Sequence, residues 1–139
     1  MLPLRYPRRW QLASILLLFF TLTAALMPAV WFFDDKVAAL HWFENTDKWL
    51  HGITFLVLSL WFTGLYAVRS FWRVATGLLA FGLVIEVLQR MISYRTADLI
   101  DLAADAAGIG IGLLAGVAGL AGWCLRVENR WSDSGDRGV

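Results

Sequence analysis

The chain has 139 residues, of which 59% are apolar and only 17% are charged, and its mean hydropathy is +0.62. Soluble domains are closer to half apolar and a quarter charged, so this composition favours a small integral membrane protein. The net charge of +1 provides no general basic field, which argues against nucleic-acid binding, and a single cysteine, Cys124, excludes an internal disulfide and is expected to pack near a helix end.

Four apolar segments approach the length of about 20 residues that crosses a bilayer. They cover about residues 10–31, 49–68, 71–92 and 98–125. The first follows three arginines, as a signal peptide would, but its apolar run is longer than a signal core and no small-x-small cleavage site follows it. We therefore predict an all-α fold: an integral membrane four-helix bundle in residues 1–125 and a polar, disordered tail in residues 126–139.

The basic residues predict the orientation of these spans. With the amino terminus in the cytoplasm, the inner side carries Arg5, Arg8, Arg9, Arg69, Arg73, Arg126, Arg130 and Arg137. The outer side carries Lys36, Lys48, Arg90 and Arg95. The excess on the inner side predicts that both termini are cytoplasmic, and tryptophans near the span ends (Trp10, Trp31, Trp49, Trp72, Trp123) fit interfacial anchors.

Carboxylates concentrate toward the outer side, and two of them lie within spans. Helical rise places Glu86 and Asp105 at a similar depth, roughly 10 Å inside the outer ends. Ionisable residues inside spans usually face the bundle interior or a water-filled cavity and are functional candidates. Asp98, Asp101 and Asp105 stand at i, i+3 and i+7, which is one face of the fourth helix, and Glu86 and Gln89, three residues apart, share a face of the third helix. We expect an outer pocket lined by Asp47, Lys48, His51, Glu86, Gln89, Arg95, Asp101 and Asp105.

Some members of this set also fit ordinary structural roles. Asp98 and Asp47 can cap helices, because acidic side chains favour the positive end of the helix dipole. Asp101 can pair with Arg95. Three glycines four residues apart, Gly108, Gly112 and Gly116, predict a close-packing helix face inside the bundle, and an oligomer through the same face is an open alternative.

The order of these elements resembles the VanZ-like family of membrane proteins. The matching stretches are "DKWLHGITFLVLSL" and "GLVIEVLQRMISYRTADLIDLAADAAGIGIG". In that family an Asp-Lys-x-x-His element opens one span, a Glu-x-x-Gln element ends the next, and an arginine and Asp-x-x-x-Asn-x-x-Gly-x-x-x-Gly follow. The resemblance covers about residues 47–112 and places the family's polar positions on Asp47, Lys48, His51, Glu86, Gln89, Arg95, Asp101, Gly108 and Gly112.

One position departs from the family pattern, because Asp105 stands where asparagine is usual. An ionised aspartate only accepts hydrogen bonds, whereas asparagine also donates them. Asp105 is therefore either protonated or charged and paired with a cation. The cations within reach on this prediction are Arg90, Arg95, Lys48 and His51.

The resemblance implies a multi-pass protein of the bacterial cytoplasmic (inner) membrane and cell envelope, in a family named for low-level resistance to teicoplanin. We expect the pocket to bind membrane lipids, a lipid-linked envelope precursor or the lipoglycopeptide antibiotic, since Lys48, Arg90 and Arg95 can hold phosphate. This is the first functional hypothesis, a binding protein without a cofactor.

The alternative hypothesis is an enzyme that acts on a lipid headgroup. Here His51 is the general base, oriented by Asp47, and the other catalytic candidates are Glu86 and Asp101. Glu86, Asp101 and Asp105 offer oxygen ligands for a divalent cation. Against this hypothesis, no nucleophilic serine or cysteine and no metal motif such as HExxH is evident. Transport or proton relay through Glu86 and Asp105 ranks third, since nothing polar continues to the cytoplasmic half.

Overall fold

The chain is helical throughout almost all of the part that its computed structural model describes, residues 1–26, 36–92 and 99–135. Side chains are described for residues 1–26, 49–91 and 100–131. The helices are α1 (Pro7–Leu26), α2 (Lys36–Leu65), α3 (Phe71–Ile92), α4 (Leu99–Ala115) and α5 (Trp123–Gly135). A 3₁₀ turn, Val68–Ser70, precedes α3, and a π-helical turn, Gly116–Leu120, follows α4. The predicted all-α class is confirmed, with no strand in these ranges.

Within the described ranges, three segments are long and apolar enough to cross a membrane: Pro7–Leu26, Val68–Met91 and Ile100–Leu120. The apolar part of α2, Trp49–Leu65, is shorter. Large apolar side chains cover the outside of the bundle, and Phe20 and Leu114 are 71% and 70% exposed. Such a surface suits hydrocarbon rather than water. Three of the predicted membrane-crossing segments are thus confirmed by length and composition.

The fourth predicted span ends earlier than expected, and the described residues form five α-helices rather than the predicted four. Gly119 and Gly122 have φ angles of 130° and 71°, which L-residues with a side chain rarely adopt, and they separate α4 from α5. Residues 126–135, predicted to belong to a disordered tail, are helical. The physical reason is a second periodicity, since Cys124 and Glu128, one turn apart, both point into the protein and are buried.

The four long helices form two parallel pairs. The hydrogen bond from Gln89 Nε2 to the Ala25 carbonyl joins the carboxyl-terminal ends of α1 and α3. Gly108, Gly112 and Gly116 lie against successively later residues of α2, namely Gly52, Ser59 and Thr63. The helices α4 and α2 therefore run parallel. The core between the pairs is apolar and consists of Phe55, Leu58, Val74, Leu78, Ile85 and Ile109.

The glycine row of α4 packs against α2 of the same chain. A methyl group on Gly108 would overlap the Gly52 carbonyl oxygen, and one on Gly112 would overlap the Ser59 hydroxyl. Ser59 and Thr63 are completely buried here, and each donates to a carbonyl of its own helix, so neither polar group is left unsatisfied. The row therefore has the internal packing geometry that we predicted, and α2 already covers the face considered for an oligomer.

Seven exposed arginines gather where α1 and α5 begin and α2 ends, and we call this region the arginine end. They are Arg5, Arg8, Arg9, Arg69, Arg73, Arg126 and Arg130. Beneath them Trp10, Trp61 and Trp123 pack against one another with ring centroids 5.7 to 5.8 Å apart. Trp10 and Trp123, predicted as interfacial anchors, thus belong to a partly buried cluster, whereas Trp49 and Trp72 are 74% and 64% exposed.

Candidate functional site

The candidate site lies at the end of the bundle opposite the arginine end. α2 contributes His51, α3 contributes Glu86 and Gln89, and α4 contributes Asp101 and Asp105. We call these five residues the polar cluster. The side chains of Asp47 and Lys48, and residues Arg95 and Asp98, lie outside the part of the chain that is described. The structure thus places five of the eight predicted pocket residues on three neighbouring helices.

His51 and Asp105 form the centre of the polar cluster. His51 Nδ1 lies 3.0 Å from Asp105 Oδ1, and both side chains are buried, with 10% and 2% of their surface exposed. An ionised carboxylate only accepts, so His51 Nδ1–H is the donor in that state. Of the four cations predicted to be within reach of Asp105, His51 and Arg90 have described side chains, and His51 contacts the carboxylate. Asp105 on α4 is thus a carboxylate partner of His51, and the predicted partner Asp47 has its side chain outside the described residues.

Gly82 on α3 makes room for this pair. A methyl group on Gly82 would lie 2.6 Å from Asp105 Oδ2 and 3.1 Å from the Phe55 ring. The second carboxylate oxygen of Asp105 therefore sits against the backbone of α3. The aspartate is enclosed by α2, α3 and α4, which accounts for its nearly complete burial.

Asp101, one turn before Asp105, is buried without complete hydrogen bonding. It is 6% exposed, and its Oδ1 has no hydrogen-bond partner among the described residues. A buried carboxylate oxygen in this state loses its hydration without compensation, which costs about 1–3 kcal/mol or more. A hydrogen-bond donor from a ligand would satisfy Asp101 Oδ1, and this unpaired oxygen is the strongest indication of a binding site in the polar cluster.

The two α3 members of the polar cluster differ in role. Glu86 is half-buried, and its charge, like that of Asp101, is near enough to act on the His51 ring. Gln89 is buried, but its amide Nε2 donates to the Ala25 carbonyl at 2.9 Å. Gln89 therefore holds α3 to the end of α1, a structural role that the pocket prediction did not include.

The polar cluster can orient an imidazole and can accept hydrogen bonds. With Nδ1 held by Asp105, Nε2 is the ring nitrogen of His51 that remains for a further hydrogen bond. Within the described ranges, no group of three or more histidine, cysteine, aspartate or glutamate side chains is arranged to hold a metal ion. The described geometry is that of an acceptor-rich site with one oriented histidine.

A second buried carboxylate, Glu128, is not among the predicted site residues, because it lies in residues 126–139, which were predicted to form a polar tail. Its Oε2 accepts the Arg5 backbone N–H at 2.7 Å, and its Oε1 accepts the Tyr6 N–H at 3.1 Å and the Trp10 indole N–H at 2.9 Å. The two backbone N–H groups immediately precede α1, where a helix start has unsatisfied donors. Glu128 thus fastens the start of α1 to α5. The one-turn spacing from Cys124 was the signal that could have revealed its burial.

The environment of Glu128 shifts two acid–base equilibria at the arginine end. Burial by itself would raise the pKa of Glu128, but hydrogen bonds from the Arg5, Trp10 and Tyr6 N–H groups and the Arg5 charge lower the pKa below its usual value. Burial and, to a lesser extent, the Glu128 charge raise the pKa of the Cys124 thiol to about 12. Cys124 therefore stays neutral at physiological pH, and its burial fits the packing role predicted for it.

We expect Glu128→Gln to destabilise the protein by about 1–3 kcal/mol at pH 7, because glutamine cannot accept all three N–H groups. Since the folded-state pKa of Glu128 is lowered, the stabilisation is complete above pH 4.5, its unfolded value, and disappears as the pH falls through the folded value. The measurement is the unfolding midpoint in detergent, followed by tryptophan fluorescence from pH 7 to pH 3. Wild type and variant should converge in acid, and a constant difference across the range would contradict this assignment.

Comparisons with known proteins identified no relative of the chain. No protein-family model matches the chain, and the searches of curated proteins and of solved structures found no match either.

Proposed function

We propose that the chain is a multi-pass protein of the bacterial cytoplasmic membrane, similar to the VanZ-like family, with α1 to α4 forming a membrane-embedded bundle. The seven exposed arginines support an orientation in which the arginine end faces the cytoplasm. Both termini then lie on the cytoplasmic side, and the polar cluster lies toward the outer face of the membrane.

In this arrangement the polar cluster binds the headgroup of a lipid or of a lipid-linked envelope precursor. The observation that carries the proposal is the buried Asp101 Oδ1 without a described partner, beside the His51–Asp105 pair. A carboxylate in a low-dielectric site favours an ammonium, hydroxyl or amide donor. Envelope precursors and lipoglycopeptides carry such groups, and their attached lipid would lie along the apolar helices.

The test is lipid retention by the purified protein in detergent, measured by native mass spectrometry. The probes are phosphatidylethanolamine, an undecaprenyl-linked peptidoglycan precursor and teicoplanin. We expect Asp101→Asn to lower retention of the bound probe about tenfold, because a charge-assisted hydrogen bond is lost. Ser59→Ala is the matched control, since Ser59 is also buried but donates only to Leu56 of its own helix. Equal retention of all probes by wild type and Asp101→Asn would overturn the proposal.

A second candidate function is hydrolysis or transfer on such a headgroup. It is favoured by one observation, the His51 ring held through Nδ1 by Asp105, which leaves Nε2 as a general base. Incubating the same precursor with the protein distinguishes the two candidates. A product formed by wild type but absent with His51→Gln would support catalysis, whereas retention without any product supports the binding function.

A further inference from the structure

A groove of about 180 Å³ opens at the arginine end, far from the polar cluster. Its walls are four residues of one α5 stripe, Trp123, Arg126, Val127 and Arg130. The lining combines an indole and an isopropyl group with two guanidinium groups. The combination offers both apolar contact and positive charge within a single small site.

The two arginines of the groove are held differently. Arg126 donates from its two terminal nitrogens to the Ala121 and Leu120 carbonyls, at 3.1 and 3.2 Å, which fixes its head beside the end of the π-helical turn. Arg130, one helical turn further along α5, makes no hydrogen bond to another described residue. Because a guanidinium has five N–H donors, both residues retain donors for an anion.

Among the described side chains, no carboxylate forms an ion pair with the two arginines of the groove. The acidic residue of α5 whose side chain is described, Glu128, is 5% exposed and accepts hydrogen bonds from Arg5, Tyr6 and Trp10. Two of the seven exposed arginines of the arginine end, Arg126 and Arg130, line the groove itself. The groove is therefore complementary to an anion.

The position of the groove identifies the kind of anion. It lies next to the end of the apolar segment Ile100–Leu120, and α5 continues to Trp131, which is 66% exposed. On the same end Trp72 is 64% exposed with the Arg73 guanidinium 5.2 Å from its ring centroid. Exposed tryptophans beside arginines are typical of the level of lipid headgroups.

We infer that this groove binds the phosphate of an anionic phospholipid in the leaflet at the arginine end. Arg126 and Arg130 hold the phosphate, and Trp123 and Val127 contact the adjoining glycerol and upper acyl chain. Basic residues next to membrane spans attract anionic lipids by this mechanism. The inference concerns a different end of the bundle from the polar cluster and does not depend on the proposed function.

The experiment measures phosphatidylglycerol bound to the protein by native mass spectrometry, with phosphatidylcholine as the zwitterionic reference. We expect Arg126→Gln/Arg130→Gln to lower phosphatidylglycerol retention about fivefold for each arginine, the effect of one basic residue at an anionic surface. The control Arg8→Gln/Arg9→Gln removes the same charge at the same end but outside the groove, and it should retain the lipid. Arg130→Gln alone serves as a second variant, because Arg126 also supports the turn before α5.

Three results would overturn the inference. Equal losses in the groove and control variants would show that only the general charge of the arginine end matters. Unchanged retention in Arg130→Gln and in the double variant would show that the groove holds no lipid. Displacement of phosphatidylglycerol by millimolar inorganic phosphate would identify a soluble phosphate as the ligand.

Discussion

Gly108→Ala is expected to lower the stability of the protein by about 3 kcal/mol, the upper part of the range for overpacked interiors. The added methyl group would overlap the Gly52 carbonyl oxygen and lie 2.9 Å from the Leu56 backbone nitrogen. Both obstacles are backbone atoms, so no rotamer change can relieve the overlap. α2 and α4 must separate instead, which removes contacts along their whole interface. The measurement is the unfolding midpoint in detergent, followed by tryptophan fluorescence.

Gly110→Ala provides the matched control on the same helix. A methyl group at Gly110 would meet nothing within 4 Å. Alanine is the better helix former by roughly 0.5–1 kcal/mol, so this variant should be as stable as wild type or slightly more stable. If Gly108→Ala and Gly110→Ala unfold alike, the close approach of α2 and α4 at Gly52 is wrong.

The second large effect is expected at Asp105. Replacing it with valine removes the acceptor of the buried His51 Nδ1–H, which should cost about 1–3 kcal/mol. The same variant should lose retention of the lipid or antibiotic probe that wild type binds, since the His51 ring is no longer oriented. Asp105→Asn, which introduces the residue usual at this position in VanZ-like proteins, keeps an amide oxygen that can accept from His51. We therefore expect Asp105→Asn to fold with nearly the stability of wild type.

Nitrogen NMR of the histidine ring gives a readout that a purely structural role of Asp105 would not change. In wild type and in Asp105→Asn, His51 should carry its proton on Nδ1, whereas in Asp105→Val the ring should lose this preference. Unfolding midpoints measured on the same samples complete the test. An unchanged ring signal and an unchanged midpoint in Asp105→Val would contradict the His51–Asp105 hydrogen bond.

These two predictions are linked by the geometry of one helix pair. His51 precedes Gly52, the residue whose carbonyl oxygen touches Gly108, and Asp105 lies three residues before Gly108 on α4. The buried pair can form only where the two backbones approach closely. Gly108→Ala should therefore disturb the polar cluster as well as the fold, whereas Asp105→Asn leaves the helix packing in place.

The sequence alone determined the helical class and three of the four predicted membrane-crossing segments, and the eight pocket residues that it predicted include the five of the polar cluster. Long apolar runs specify membrane-crossing helices because a backbone in hydrocarbon must satisfy its own hydrogen bonds. Helical spacing placed Asp101 and Asp105 on one face, and the four-residue repeat of Gly108, Gly112 and Gly116 identified the packing row. These features are local, so they can be read from residue order.

Partners distant in the chain were decided only by the tertiary structure. His51 is bonded to Asp105, 54 positions away, and Glu128 fastens the start of α1 across 122 to 123 positions. The break at Gly119 turned the end of the predicted span and part of the predicted tail into a separate helix. Spacing along one helix defines a face, but which partner that face meets depends on how all five helices pack together.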